Sequence, residues 1–425
     1  MKVYKFGGAS VRSAEGVRNL KYIVEDETGG LFIIVSAMGK TTNALEVVVD
    51  HFMAGRRDDA IKEFAAVEEY HNGIIEELFE GEGTPAAVQR LYDEARSLLA
   101  NEKPTEADFE KWYDAIVSYG ELISTTIISE YLNKTGVRNK WVDMRRCFIT
   151  DSRFKYANVD IETSTVLLGK EVAEAGVNVF VGQGFIGATI GGETTTLGRE
   201  GSDYSAAVTA SILDADCVAI WKDVIGVLNA DPKIFPESTF IPELTYLDAI
   251  ELAFSGAQII HPKTIKPLQN KDIPLFVRPF GDKSASGSVI KNEIAAPIDV
   301  PILILKRNQV LMSIRPQDYS FVLEEKLGSI FAVLEEYNIK VNLVQTSAVN
   351  MSLSIDKTRR LDDVVKALED NGFYVKYNDG MELLTIRGYT TPYLERYSRV
   401  PDVYLAQRTR KILRLVRKET GAGKY

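Results

Sequence analysis

Apolar and β-branched residues run from Lys2 to Phe6, Gly7-Gly8-Ala9-Ser10 interrupts them, and Val17, Leu20 and Val24 then recur at helical spacing. The order is strand, glycine turn, helix. Leu31 to Val35 predicts a second strand, followed by Ser36-Ala37-Met38-Gly39-Lys40-Thr41-Thr42-Asn43 and a helix opened by Leu45, Val48, Val49 and Phe52. From about 44 to 132 the pattern is almost wholly helical, broken at Gly81 to Pro85 and at Asn101 to Pro104. Its acids (Glu63, Glu68, Glu69, Glu76, Glu77, Glu80) suit a solvated helix face. Strands are predicted at Asn139–Val142, Val177–Val181 and Cys217–Trp221, with helices at Ser164–Ala175 and Ser205–Leu213 between them. Such alternation predicts an α/β fold with a mainly parallel sheet between helices.

Helices at about 245–253 and 262–269 precede a strand at Ile273–Val277 and the glycine-serine stretch Gly281–Ser288, and a boundary falls near Ala295-Ala296-Pro297. Beyond it come strands at Ile302–Lys306 and Val310–Ile314, a helix at Leu327–Tyr337, strands at Val341–Thr346 and Val349–Ile355, a helix at Leu361–Asn371 and a strand at Phe373–Tyr377. That order describes an α+β, ferredoxin-like unit, which leaves a sheet edge open for pairing. After Leu383–Arg387 the chain reads as irregular from Gly388 to Asp402 and as one hairpin from Val403 to Lys418. The basic residues of that end (Arg408, Arg410, Lys411, Arg414, Arg417, Lys418) suit a solvated strand face.

In 425 residues, 60 acidic groups stand against 50 basic ones, a formal charge of −10, so a general nucleic-acid surface is not expected and any anion must be caught locally. No stretch approaches the ~18 apolar residues of a membrane span. The chain opens directly on a strand pattern, and the expected location is cytoplasmic. Cys147 and Cys217 are too few for a disulfide framework or a cysteine-rich metal site. His51, His71 and His261 have no carboxylate or cysteine at ligand spacing, so neither a protein-built metal centre nor a histidine base is expected.

Lys5-Phe6-Gly7-Gly8 places an ammonium beside a glycine pair whose amides can approach an anion, which suits a phosphate, although a tight turn beside a surface lysine has the same pattern. Gly39-Lys40-Thr41 ends like a phosphate-binding loop, but Ile34 stands where that pattern requires glycine. Gly182-Gln183-Gly184-Phe185-Ile186-Gly187 spells a dinucleotide fingerprint, yet a glycine-threonine hairpin pattern follows it where a helix is needed. Further on, Arg199 has the fork geometry for a carboxylate, and Gly201-Ser202-Asp203 opens a helix whose first amides can receive a negative group. Trp221-Lys222-Asp223 ends a strand in charged residues, as ligand-binding strand ends do in α/β sheets and as solvated loops do too.

In order along the chain, Lys5-Phe6-Gly7-Gly8-Ala9-Ser10, Tyr119-Gly120-Glu121, Gln183 to Gly187, Thr195 to Arg199 and Gly201 to Ala207 resemble the motifs of the aspartate kinases, in the amino-acid kinase superfamily. The resemblance implies a catalytic domain over 1–295 and an ACT region over 296–425. In that region a first ACT unit, about 308–378, is inserted into a truncated second one formed by about 300–307 and 379–425. It further implies transfer of the ATP γ-phosphate to the β-carboxylate of L-aspartate, with Mg²⁺ held through the ATP phosphates, as the first step toward lysine, threonine and methionine. By the same resemblance Lys5 and Asp203 are catalytic, and Thr42, Glu121, Phe185, Arg199 and Ser202 bind aspartate. Nucleotide contacts are implied for Lys5, Gly7, Gly8, Ser10, Lys222, Asp223, Leu228, Lys233 and Gln258. Ala9, Lys222, Leu228 and Gln258 depart from the usual residues at their positions, which affects the nucleotide contacts more than the substrate contacts. A homodimer or higher oligomer through the ACT region is expected, with no nucleic-acid or membrane partner.

Overall fold

The computed structural model describes every residue except 258, 259, 297, 319, 320, 323, 399–401 and 421–425. The chain divides into two compact units, the first made of Met1–Val227, Pro242–Ile250 and Ile259–Ala295, the second of Leu228–Ile241, Glu251–Gln258 and Ala296–Tyr425. One break between the units lies between Ala295 and Ala296. Segments Leu228–Ile241 and Glu251–Gln258 nevertheless cluster with the second unit, a long-range association that no local pattern announces.

The elements run β1 (Lys2–Phe6), α1 (Ala14–Val24), β2 (Leu31–Val35), α2 (Thr41–Met53), α3 (Arg57–Phe79), α4 (Ala86–Asn101), α5 (Phe109–Val117), α6 (Tyr119–Lys134), β3 (Lys140–Val142), β4 (Ile149–Thr150), α7 (Ile161–Ala173) and β5 (Val179–Gln183). They continue with β6 (Ile186–Thr189), β7 (Thr194–Thr196), α8 (Gly201–Ile212), β8 (Cys217–Lys222), β9 (Val227–Leu228), β10 (Phe240–Ile241), β11 (Glu243–Thr245), α9 (Tyr246–Ser255), α10 (Pro262–Gln269), β12 (Leu275–Pro279) and β13 (Ser288–Lys291).

In the first unit an eight-stranded sheet has the order β11-β13-β12-β8-β1-β2-β5-β3. It is parallel except where β12 meets β13. β2 reads Leu-Phe-Ile-Ile-Val without alternation because helices cover both faces, and all five side chains are buried. β1 lies between β2 and β8, with Lys5 level with Ile34 and Ile220, so the C-terminal ends of β1, β2, β5 and β8 open on one edge. Phe6 stacks on Trp221 and meets Phe280 edge-on, which anchors β1 in the core directly before its glycine turn. The glycine-threonine stretch forms the hairpin β6–β7, which pairs with β4.

The second unit adds β14 (Ile302–Pro316), α11 (Glu324–Glu336), β15 (Val341–Thr346), β16 (Met351–Asp356), α12 (Leu361–Asp370), β17 (Phe373–Arg387), α13 (Thr391–Ser398), β18 (Val403–Arg408) and β19 (Ile412–Lys418). Its antiparallel sheet has the order β15-β16-β14-β17-β19-β18. Two pairs of strands expected separately, 302–306 with 310–314 and 373–377 with 383–387, are single long strands. The register shift between Lys306 and Gln309, with Asn308 at φ 54°, carries β14 through the polar interruption that made it look like a break. One half of the sheet packs α11 and α12 over Met312, Leu353 and Phe373. The other half packs Leu384, Ile386, Leu413 and Leu415 with Tyr397 of α13. The expectation of irregular chain over Gly388–Asp402 is therefore corrected: Thr391–Ser398 is helical, and Pro392 at its start is the signal that apolar periodicity did not supply.

Candidate active site

At the end of β1 the chain turns through Gly7 and Gly8, and Ser10 donates its backbone N–H to the Gly7 carbonyl at 3.0 Å. Gly8 has no room for a side chain, because a Cβ would stand 2.3 Å from the Ala37 carbonyl oxygen. The close approach of this turn to the one after β2 thus depends on glycine. Ser10 is buried beneath the turn, and Lys5 lies one strand position before Phe6 with its side chain also buried.

Across from it, α8 begins at Gly201, placing Asp203 in the first helical turn. Asp203 meets two cations: Lys5 Nζ stands 2.6 Å from Oδ1 and Lys222 Nζ stands 3.4 Å from Oδ2. Burial by itself would raise the Asp203 pKa, but the charges of Lys5 and then Lys222 outweigh it and hold the carboxyl below its ordinary value. It is a fixed anion. Two lysines on one carboxylate leave a net positive pair at the strand ends beside the glycine turn.

The same cavity, of about 500 Å³, is lined by Lys5, Thr42, Glu121, Phe185, Arg199, Ser202, Asp203 and Lys222. Folding thus brings together both residues expected to be catalytic and all five expected to bind the substrate. Glu121, in the first turn of α6, is 3% exposed; its Oε1 accepts the Ala37 backbone N–H at 3.2 Å, while Oε2 has no hydrogen-bond partner among the described residues. Burial pushes its pKa up to about 8, against the opposing pull of the Ala37 amide, its own amide and the Lys5 charge. Such a carboxyl is poised to receive a cation.

Phe185 adopts φ 68°, a left-handed conformation that a bulky side chain rarely takes. It is pinned there: its N–H donates to Ser205 Oγ at 2.9 Å and its carbonyl accepts the Leu197 N–H at 2.8 Å. Gly184 beside it allows α8 to approach, since a Cβ there would stand 2.4 Å from Ser202 Cβ.

Of the expected nucleotide residues, Gly7, Gly8 and Ser10 form the turn just described, and Lys222 ends β8 with exposed Asp223 after it. Leu228, half-buried in β9, and the exposed Lys233 belong to the segment that clusters with the second unit. Gln258 lies outside the described residues.

Several residues of the site were not anticipated. Asp114 in α5 is wholly buried and accepts three hydrogen bonds, from the Thr196 N–H at 2.8 Å, the Thr196 hydroxyl at 2.6 Å and the Lys155 N–H at 2.9 Å. It ties the chain at Lys155–Tyr156 to the strand that leads into Arg199. An acid directly before Ala115-Ile116-Val117, on the inward side of a helix, was the available signal. Tyr113, Lys155, Tyr156 and Glu200 also line the cavity.

The family model described as "Amino acid kinase family" matches residues 1–279. Lysine-sensitive aspartokinase 3 of Escherichia coli is 34% identical over 366 residues, covering 84% of this chain and 78% of that protein. Chloroplastic aspartokinase 2 of Arabidopsis thaliana is 32% identical over 402 residues, covering 86% and 70%. Among solved structures, E. coli aspartokinase III in complex with aspartate and ADP, in its R-state, is similar at a TM-score of 0.82 and 27% identity, covering 98% of this chain and 96% of that one. The same protein's T-state, in complex with lysine and aspartate, gives 0.78 and 28%, covering 98% and 95%.

Proposed function

The chain belongs to the aspartokinases of the amino acid kinase family, and we propose that the first unit's cavity carries their reaction, transfer of the γ-phosphate of ATP to the β-carboxylate of L-aspartate. The product is 4-phospho-L-aspartate, the first intermediate toward lysine, threonine and methionine. The observation that carries this assignment of roles is the division of charge in one cavity: a buried carboxylate fixed between two lysines, and a buried glutamate, one oxygen of which has no hydrogen-bond partner among the described residues, lining the same cavity as the Arg199 guanidinium.

The substrate's β-carboxylate, with a pKa near ~4, is already an anion at neutral pH and needs no general base. One of its oxygens forms the new bond to the γ-phosphorus, the bond from that phosphorus to the β,γ-bridging oxygen breaks, and ADP leaves with the electron pair. The difficulty is repulsion: like charges ~4 Å apart oppose each other by about 4 kcal/mol per pair at an effective dielectric of ~20. Lys5 and Lys222 lie where that charge builds, and the amides of the Gly7-Gly8 turn add donors that need not reorganise. Asp203 positions both lysines. Glu121 receives the α-ammonium and Arg199 the α-carboxylate, with Thr42, Phe185 and Ser202 shaping the remaining wall.

Asp223, Leu228, Lys233 and Gln258 remain the proposed nucleotide contacts together with Lys222 and Ser10. Mg²⁺ travels with the nucleotide in this reading: both Asp203 oxygens face lysines, and no cluster of three ligating side chains stands among the described residues. When bound, it supplies further charge cancellation on the phosphates.

Among the described residues no helix is long and apolar enough to cross a membrane. A cytoplasmic site of action, where ATP is supplied, belongs to the same proposal. So does a homodimer through the second unit, where β15 is a sheet edge with the exposed Phe331 of α11 nearby in the chain. Sedimentation at micromolar concentration checks it, and monomer alone would contradict it.

Hydroxylamine trapping of the acyl phosphate tests the reaction. L-Aspartate is expected to give the β-hydroxamate with ATP, and glutamate to give none. Glutamate hydroxamate without aspartate hydroxamate would overturn the substrate assignment.

A further inference from the structure

We propose that Lys155 is a specificity-determining residue of the aspartate pocket, receiving the substrate's α-carboxylate together with Arg199, and that Asp114 is the positioning residue that holds it in place. The inference rests on the aspartate reading above and goes beyond it, because the motifs assign that carboxylate to Arg199 alone.

The cavity's charged side chains are Lys5, Lys155, Arg199, Lys222, Glu121, Glu200 and Asp203. Lys5 and Lys222 are both engaged with Asp203 at the phosphate end. Lys155 is not engaged in this way. Its Nζ lies 4.1 Å from the centre of the Tyr113 ring and 5.4 Å from that of Phe109, and among the described residues no carboxylate is within ion-pair distance of it. Aromatic faces hold an ammonium in position without neutralising it, so the cation is available to a ligand.

Backbone geometry gives the second line of argument. Lys155 has φ 66°, a left-handed conformation that a lysine adopts only at a cost relative to the right-handed region. Its N–H is fixed to Asp114 Oδ2, the same carboxylate that holds Thr196, and the Ala157 N–H donates to the Thr196 carbonyl at 3.0 Å. A Cβ on Gly198 would stand 3.2 Å from the Lys155 carbonyl oxygen, so the chain at Lys155 adjoins the residue directly before Arg199. The β-carboxylate must point toward Lys5 and Lys222 to reach the phosphate. The carboxylate left for the Lys155–Arg199 end is the α-carboxylate.

Glu200 is the competing partner for Lys155: it lines the same cavity, and its Oε2 is buried without a hydrogen-bond partner among the described residues. The test therefore has to separate a substrate contact from an internal ion pair.

The experiment compares kcat/KM for L-aspartate with that for its α-amide, which keeps the β-carboxylate and α-ammonium, both read as β-hydroxamate with ATP. It uses the full chain and its K155M, K155G, K155R and E200Q variants. K155M and K155G are expected to lower kcat/KM for aspartate about 10- to 100-fold, mainly through KM, and that for the amide less than about 3-fold. The KM for ATP is expected to stay the same. K155R restores most of the preference for the acid, and E200Q keeps it. Glycine adopts this φ without strain, so a loss in K155G cannot be put down to backbone strain, and an unchanged KM for ATP shows that the fold is kept. Equal losses on acid and amide, an unchanged preference in K155G, or an E200Q variant that behaves like K155M would each overturn the proposal. Failure of the wild-type chain to phosphorylate aspartate at all would instead overturn the reading on which it rests.

Discussion

The two ends of the cavity are built on opposite electrostatic plans. At the phosphate end the charged groups are already coupled before any ligand arrives: Asp203 stands between Lys5 and Lys222, leaving one net positive charge, and its pKa is held down in spite of burial. At the substrate end Glu121 is buried with an open oxygen and a pKa raised to about 8. In the proposed reaction the first end is preorganised for charge that appears in the transition state, and the second is completed only by the ligand. Catalysis and recognition are therefore separable by mutation.

The largest expected effect falls at the phosphate end. Lys5→Met should lower kcat by about 10³-fold or more while changing the KM for L-aspartate only a few-fold, as steady-state kinetics would report. A loss confined to KM would erase the contrast between the two ends. Glu121→Gln should do the reverse, raising the KM for aspartate about 10²-fold with a smaller change in kcat. Gly184→Ala strikes where the two ends meet, because its Cβ would drive against Ser202 at the start of α8. Activity should drop about 10-fold through both parameters, with a lowered melting temperature.

The smallest effect sharpens the contrast through pH. With the Glu121 pKa near 8, binding the α-ammonium below that pH must first release a proton. The KM for aspartate should thus fall roughly tenfold from pH 6.5 to 7.5 and level off above about 8, with kcat nearly flat. Stability moves the other way. The folded pKa lies above the ordinary value of 4.5, so the contribution of protonated Glu121 is complete below that value and is lost as the pH rises through about 8. Glu121→Gln should accordingly melt above the wild type at pH 9 and level with it near pH 4.

What the sequence disclosed differs between these ends as well. Lys5, the glycine turn and Asp203 were legible because a strand end and a helix start are local events with local signatures. Asp114 and Lys155 were not, since their role arises from contacts 41 and 82 positions apart and from a left-handed lysine that no pattern of residues announces. In the second unit the two long strands were read as halves because Arg307 and Asn308 interrupt the apolar run of β14 at its bulge, and Asn378-Asp379-Gly380 interrupt that of β17. Helix α13 was missed because tyrosines and charges outnumber its aliphatic residues. The resemblance assigns proposed nucleotide contacts to Leu228 and Lys233, and nothing in their surroundings in sequence foretold that their segment clusters with the second unit.

Calorimetric titration of L-aspartate into Lys5→Met and wild-type protein, at about pH 8.5 where Glu121 is mostly ionised, tests the separation most directly. The account predicts dissociation constants within about threefold of each other although the variant no longer turns over. Loss of aspartate binding together with turnover would contradict it, since recognition and phosphate handling would then depend on the same lysine.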